Sequence, residues 1–306
     1  MTDPLTPNFP DQATRLRADI PRLLCPECRL PLTPATLACA NGHAYAWRDG
    51  VLVLLSVEFG RYLRAFLDAF SRLREAHQAR LMDVAAYPLL PYGPAVSADF
   101  RWDIRRADLA LVPRLLPSAR PLRILEVGAW NGWLTHHLAR AGHQVTAVDY
   151  FDDEYDGLRA HKHYAESWTA IQMNLEELSL LASPFDAIIL NHCLAFFTHP
   201  PATVAQVQAL LAPAGRLLII GLSFFRWPAF KRAQVAADRA QRQAAGVKEL
   251  TEMRGYLDWQ DRVWLTRQGV RLRAYGALWR ANLKARLRPT APYYAYGLYQ
   301  APAAQL

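Results

Sequence analysis

Cysteine is scarce, with four in 306 residues, too few for a disulfide framework to hold a chain of this length together. No apolar run approaches the roughly 20 residues that span a bilayer. The opening MTDPLTPNFPDQ has neither the basic region nor the apolar stretch of a secretory signal. A cytoplasmic globular protein with no membrane span is expected. At 52% hydrophobic and 20% charged residues, wholesale disorder and a low-complexity chain are excluded. Acidic residues are thin at one end: residues 226–306 carry 15 Lys and Arg against 5 Asp and Glu, while residues 1–225 carry 20 against 22. The formal net charge of +8 is therefore a carboxyl-terminal property. Such a face suits nucleic acid, an anionic membrane surface or an acidic small molecule, or it is a solvated arginine-rich surface with no partner.

Three of the four cysteines fall within fifteen residues. Cys25, Cys28, Cys39 and His43 form a C-x2-C, ten residues, C-x3-H pattern, which is zinc-ligand spacing. Thiolates two residues apart on a tight turn reach one ion together, and Pro26, Pro31, Pro34 and Gly42 supply the turns. With all four ligands from protein the site is closed and structural, and metal binding supplies the folding energy of a segment with almost no core. Trp47, Asp49, Gly50 and the run VLVLL at 51–55 read as a turn and a final strand.

From Leu122 the chain alternates strand and helix. Apolar strands are expected at 122–127, 144–149, 168–173, 185–190 and 215–221, with helices over about 131–141 and after Pro200. This alternation argues for a parallel doubly wound α/β sheet, with ligands at the carboxyl ends of its strands. Glu126 ends the first strand beside Gly128 and Gly132. Asp149 ends the second, where a carboxylate accepts from both ribose hydroxyls of a nucleoside. The turn reads E-x-G-x-x-x-G, with an acid where a pyrophosphate would have to lie, which disfavours NAD and FAD.

At these residues the sequence resembles the class I S-adenosylmethionine (SAM)-dependent methyltransferases. Glu126-Val-Gly128-Ala-Trp130-Asn-Gly132 is similar to their first motif, Asp149 to the ribose-binding acid, and Met173-Asn174 to the loop that contacts adenine. PFDAIILN, ending at Asn191, and LLAPAGRLLIIG over 210–221 resemble the fourth-strand motif and the entry to the fifth strand. The resemblance implies a Rossmann-like, doubly wound, seven-stranded sheet. It also implies SAM as cofactor, held by Glu126, Gly128, Trp130, Gly132, Asp149, Tyr150, Met173, Asn174 and Asn191. Where the family usually has glycine this chain has Trp130, which either lines the substrate entrance or blocks the cofactor. The ribbon also resembles that of bacterial 23S rRNA guanine-N1 methyltransferases and of a wider group of uncharacterised bacterial methyltransferases.

The expected layout is a zinc ribbon over 15–57, a helical cap or linker over 58–118 with a proline-rich break at 88–94, and a methyltransferase domain over 119–306. The tail reads as two helices followed by an antiparallel strand pair from VRLRAYGALW and PYYAYGLYQ. His192, after the fourth strand, is the candidate base for direct SN2 methyl transfer. Cys193 reads as a buried small residue, and Asp152, Asp153, His161 and His163 as a second polar cluster. The expected acceptor is a small molecule, anionic in keeping with the basic face, or alternatively ribosomal RNA. A non-catalytic SAM-fold interaction protein is the third reading.

Overall fold

The computed structural model describes residues 20–76, 81–116, 119–247, 253–288 and 290–303. The expected segment 15–57 begins, and the tail ends, outside those residues. The first strands, β1 (Ala46–Arg48) and β2 (Val51–Leu54), form a hairpin. Its two-residue turn has Asp49 and Gly50 both at positive φ, 48° and 78°, the conformation that matches the strand twist. α1 (Val57–Ala76) follows, then short 3-10 turns around the break at 88–94, then α2 (Phe100–Leu115), capped by the Asp99 side chain, which accepts from Arg101 N–H.

The alternating core comprises β3 (Arg123–Val127), α3 (Trp133–Arg140), β4 (Gln144–Asp149), β5 (Thr169–Met173), β6 (Phe185–Asn191), α4 (Pro200–Ala209) and β7 (Leu211–Phe225). After it come α5 (Pro228–Ala244), β8 (Leu257–Asp258), α6 (Trp259–Arg267), β9 (Arg271–Ala274), α7 (Trp279–Leu287) and β10 (Tyr293–Gln300). The sheet runs β1-β2-β5-β4-β3-β6-β7-β10-β9, with β8 beside β7. The seven strands from β5 to β9 form the expected doubly wound sheet, parallel up to β7 and closed by the antiparallel β10.

Three strands are added to the seven. β8 is a short extension, but β1 and β2 come from the cysteine-rich segment, and β2 pairs parallel with β5 from Val51 opposite Ala170 to Leu54 opposite Met173. The VLVLL run is apolar because β2 is a buried strand of the main sheet. Side chains alternate between two cores. Ile124, Ala187 and Ile189 face the α2 and α3 layer with Trp102, Val112 and Trp133, while Leu125, Ile188 and Leu190 face α4 and the cysteine-rich segment.

One tail expectation changes. β9 stops at Ala274, and most of the stretch expected to continue as strand winds into a 3-10 turn and α7. The turn coincides with Tyr275, whose hydroxyl is buried against Asp108 of α2, so the side chain pulls the chain off the sheet edge.

Candidate active site

The carboxyl ends of β3, β4 and β6 meet in one place. Gly128, at φ +76°, donates its N–H to Val148 O at 3.0 Å. A Cβ there would fall 2.7 Å from Cys193 Cβ and 3.1 Å from Asn191 O, so glycine is what lets β3 and β6 close at this point. Asp149 reaches across from β4, its Oδ2 accepting from Trp130 N–H at 2.7 Å and its Oδ1 from Phe151 N–H at 3.1 Å. Burial pushes this carboxyl up to about 6, against the pull of those N–H groups.

Glu126 is fully buried. Its two oxygens accept from Thr135 Oγ1 at 2.6 Å and Asn191 Nδ2 at 2.7 Å, and burial raises its carboxyl to about 7 despite both bonds. The pair Glu126 and Asn191 thus ties β3 to β6 beneath the turn. Gly132 caps α3 at φ +78°, and a Cβ there would meet the Trp168 ring at 2.8 Å. Met173 is buried, and Asn174 Oδ1 accepts from Glu176 N–H at 3.1 Å, with the Tyr150 hydroxyl at 3.4 Å.

His192 stands next to this turn at φ +55°, a left-handed backbone that a non-glycine residue holds at a cost of order 1 kcal/mol. Its Nε2 lies 2.7 Å from Asp108 Oδ2. Asp108 comes from α2, is fully buried, and accepts a second hydrogen bond from the Tyr275 hydroxyl. That hydroxyl in turn accepts Gly221 N–H at 2.9 Å. An ionised carboxylate only accepts, so with Asp108 ionised Nε2 is the donor of this pair, and in the neutral ring Nδ1 is the acceptor. Gly221, at φ +69°, leaves that nitrogen room: a Cβ there would lie 2.2 Å from His192 Nδ1.

Asp108 went unnoticed in the sequence, yet it left a signal. Ile104, Asp108 and Val112 recur every four residues on the buried face of α2, so an acid interrupts an apolar stripe. The same helix supplies Trp102 and Arg105. The Trp130 backbone is left-handed, at φ +50°, and its indole packs on Trp102 with ring centroids 5.9 Å apart. The Arg105 guanidinium lies 4.9 Å from the Trp102 ring and 5.2 Å from the Trp130 ring. Its Nε is buried without a hydrogen-bond partner, and burial lowers the group to about 10.

Asp152 and Asp153 of the other cluster line one recess with Asp156 and Arg159, and its two histidines are bonded to backbone carbonyls. His161 is hydrogen-bonded to Asp49 O at 2.9 Å and His163 to Glu154 O at 3.0 Å, while Asp153 accepts from Tyr155 and Asp156 N–H. α1 packs over the loop after β4, with Phe66 and Phe70 against Phe151. Cys193 donates to Val127 O at 3.3 Å, and burial pushes its thiol up, which makes it a poor nucleophile.

At the amino-terminal end Cys25, Cys28, Cys39 and His43 place their ligand atoms within 4.8 Å of one another. Cys28 and Cys39 Sγ are 3.6 Å apart, and His43 Nδ1 is 3.4 Å from Cys25 Sγ and 3.5 Å from Cys39 Sγ. Tetrahedral zinc with bonds of about 2.3 Å to sulfur sets such edges near 3.8 Å. The group is compatible with a small zinc ribbon.

The fold is that of a SAM-dependent methyltransferase of the class I type. Residues 100–244 match the family described as a methyltransferase domain. A ubiquinone biosynthesis O-methyltransferase of Xanthomonas axonopodis pv. citri (strain 306) is 28% identical over 195 residues, 60% of this chain and 78% of the relative. The enzyme of the same name from Xanthomonas campestris pv. campestris (strain B100) is 32% identical over 138 residues, 44% of this chain and 55% of the relative. Among solved structures, an O-methyltransferase family protein from Burkholderia thailandensis aligns at 14% identity and a TM-score of 0.45, covering 79% of this chain and 73% of that one. No helix among the described residues is long and apolar enough to cross a membrane.

Proposed function

We propose that the protein methylates a hydroxyl of a small, anionic acceptor, and that His192 is the base. The observation that carries this is the His192–Asp108 pair beside the cofactor turn. Asp108 fixes the imidazole and stabilises the imidazolium that forms when Nδ1 takes the acceptor's proton, so that the oxygen attacks with its lone pair free. The names of the curated relatives support an O-linked acceptor. The Trp130 ring, backed by Trp102 and with Arg105 beside both, supplies an apolar wall and a cation for an aromatic or carboxylate-bearing molecule.

The donor set fits the cofactor. Asp149 is held by the backbone N–H groups of Trp130, Tyr150 and Phe151 and would offer its remaining lone pairs to a ribose diol, and Met173, Asn174 and Tyr150 would border the adenine. Gly128 and the Asn191 carbonyl would border the amino-acid end, and Gly132 serves the turn by letting Trp168 close on it. SAM, when bound, supplies an electrophilic methyl group on a sulfonium. We read Trp130 as lining the acceptor mouth, its ring held on Trp102. Cys25, Cys28, Cys39 and His43 hold a structural zinc ion.

Calorimetry with SAM and steady-state turnover of phenolic and carboxylate-bearing acceptors test this reading. Asp149→Ala is expected to weaken SAM at least tenfold, and His192→Gln to lower kcat roughly 10²–10⁴-fold with SAM affinity intact. No binding of SAM by the wild-type chain would leave the non-catalytic reading standing, and an unchanged kcat in His192→Gln would remove the base.

A further inference from the structure

From Arg262 to the end of the chain there are eight Lys and Arg and no Asp or Glu. α7 arranges this charge with a period of four. Trp279, Leu283 and Leu287 are 58%, 47% and 76% exposed, and each is followed by an exposed cation, Arg280, Lys284 and Arg288. The helix is firmly seated by other residues: Ala285 is buried, and the Asn282 side chain both donates to Tyr294 O at 2.9 Å and accepts Tyr294 N–H at 2.7 Å. The apolar stripe therefore faces water while the helix is already docked.

α6 adds Trp259 and Val263, 40% and 50% exposed. Trp259, Arg262, Arg226 and Arg286 line a groove of about 510 Å³, and Arg262, Arg267 and Arg271 a second of about 780 Å³. No acidic side chain lines either one among the described residues. We infer that this face seats the protein on an anionic phospholipid surface, with Trp279, Leu283 and Leu287 entering the acyl boundary and the arginine grooves taking phosphodiester headgroups. The occupant is chosen by the pairing of aliphatic side chains with uncompensated cations. Leu283, Leu287 and Val263 offer no plane for a base to stack on. Trp259 and Tyr293, which do, are engaged by the Arg262 guanidinium at 4.2 and 4.9 Å, and Trp279 by the Arg280 guanidinium at 5.3 Å. The inference is independent of the acceptor.

The test is sedimentation of the full chain with vesicles of phosphatidylcholine alone or mixed with phosphatidylglycerol. Capture by the anionic vesicles at least tenfold above the neutral ones, weakening with added salt, is expected. Leu283→Ser with Leu287→Ser, and separately Lys284→Glu with Arg288→Glu, should each reduce it about tenfold or more. Both variants should bind SAM as the wild type does, which shows that the fold is kept. Equal capture by neutral and anionic vesicles overturns the inference, as does wild-type capture of the serine variant. Tight binding of a single-stranded RNA oligomer by both the wild type and the serine variant, without capture by vesicles, would assign the face to nucleic acid instead.

Discussion

At Gly221 a single methyl group decides whether His192 keeps its place, because a Cβ there would stand 2.2 Å from Nδ1. Gly221→Ala is expected to displace the imidazole from Asp108 and to lower kcat by tenfold or more, while SAM affinity measured by calorimetry stays near the wild-type value. Unchanged turnover would mean that the ring is free to move without cost. Residues at this scale were unevenly legible. Asp149, Gly128 and the Cys3His group could be read because their chemistry is local: a strand end, a turn, a ligand spacing. Asp108 and Tyr275 could not, since 84 and 167 residues separate Asp108 from His192 and from Tyr275, and only the fold closes that distance.

Among the elements, β2 carries the most unexpected role. A strand that read as the last piece of a separate ribbon is hydrogen-bonded along β5, so the cysteine-rich segment is continuous with the sheet that ends at Met173 and Asn174. Removing zinc with a chelator is therefore expected to lower the melting temperature of the whole chain by several degrees, in one cooperative transition. Calorimetric scanning with and without chelator checks it, and a metal-free protein that melts as the loaded one does would remove zinc from the fold. Strand and helix periodicity identified the alternating core from β3 to β7, because its strands are apolar runs, bounded by glycine or proline at β3, β4, β6 and β7. The same reasoning placed the tail strands but continued β9 too far, since WRANLKARL has neither a cap nor an apolar stripe that points inward.

For the molecule as a whole, the buried acids set a pH dependence. Glu126 titrates near 4.5 in an open chain and about 7 in the fold, so between those values the native state binds more protons than the unfolded one. That contribution is present below pH 4.5 and is lost as pH rises through 7, a difference on the order of 3 kcal/mol. Asp149, raised in the same direction, adds to it. Glu126→Gln keeps the shape and removes the titration, with the Thr135 hydroxyl free to turn and accept. Denaturant unfolding from pH 4.5 to 7 should therefore show a flatter profile for the variant than for the wild type; parallel profiles would mean that Glu126 is not the source.

The hydroxyl that holds Asp108 belongs to Tyr275, and α7 begins at Trp279, four residues later. One short stretch of chain thus has its first end in the hydrogen bonds that aim His192 and its other end on the exposed helix. The carboxylate that orients the imidazole is therefore held by a residue only four positions from the helix that turns its apolar stripe to water.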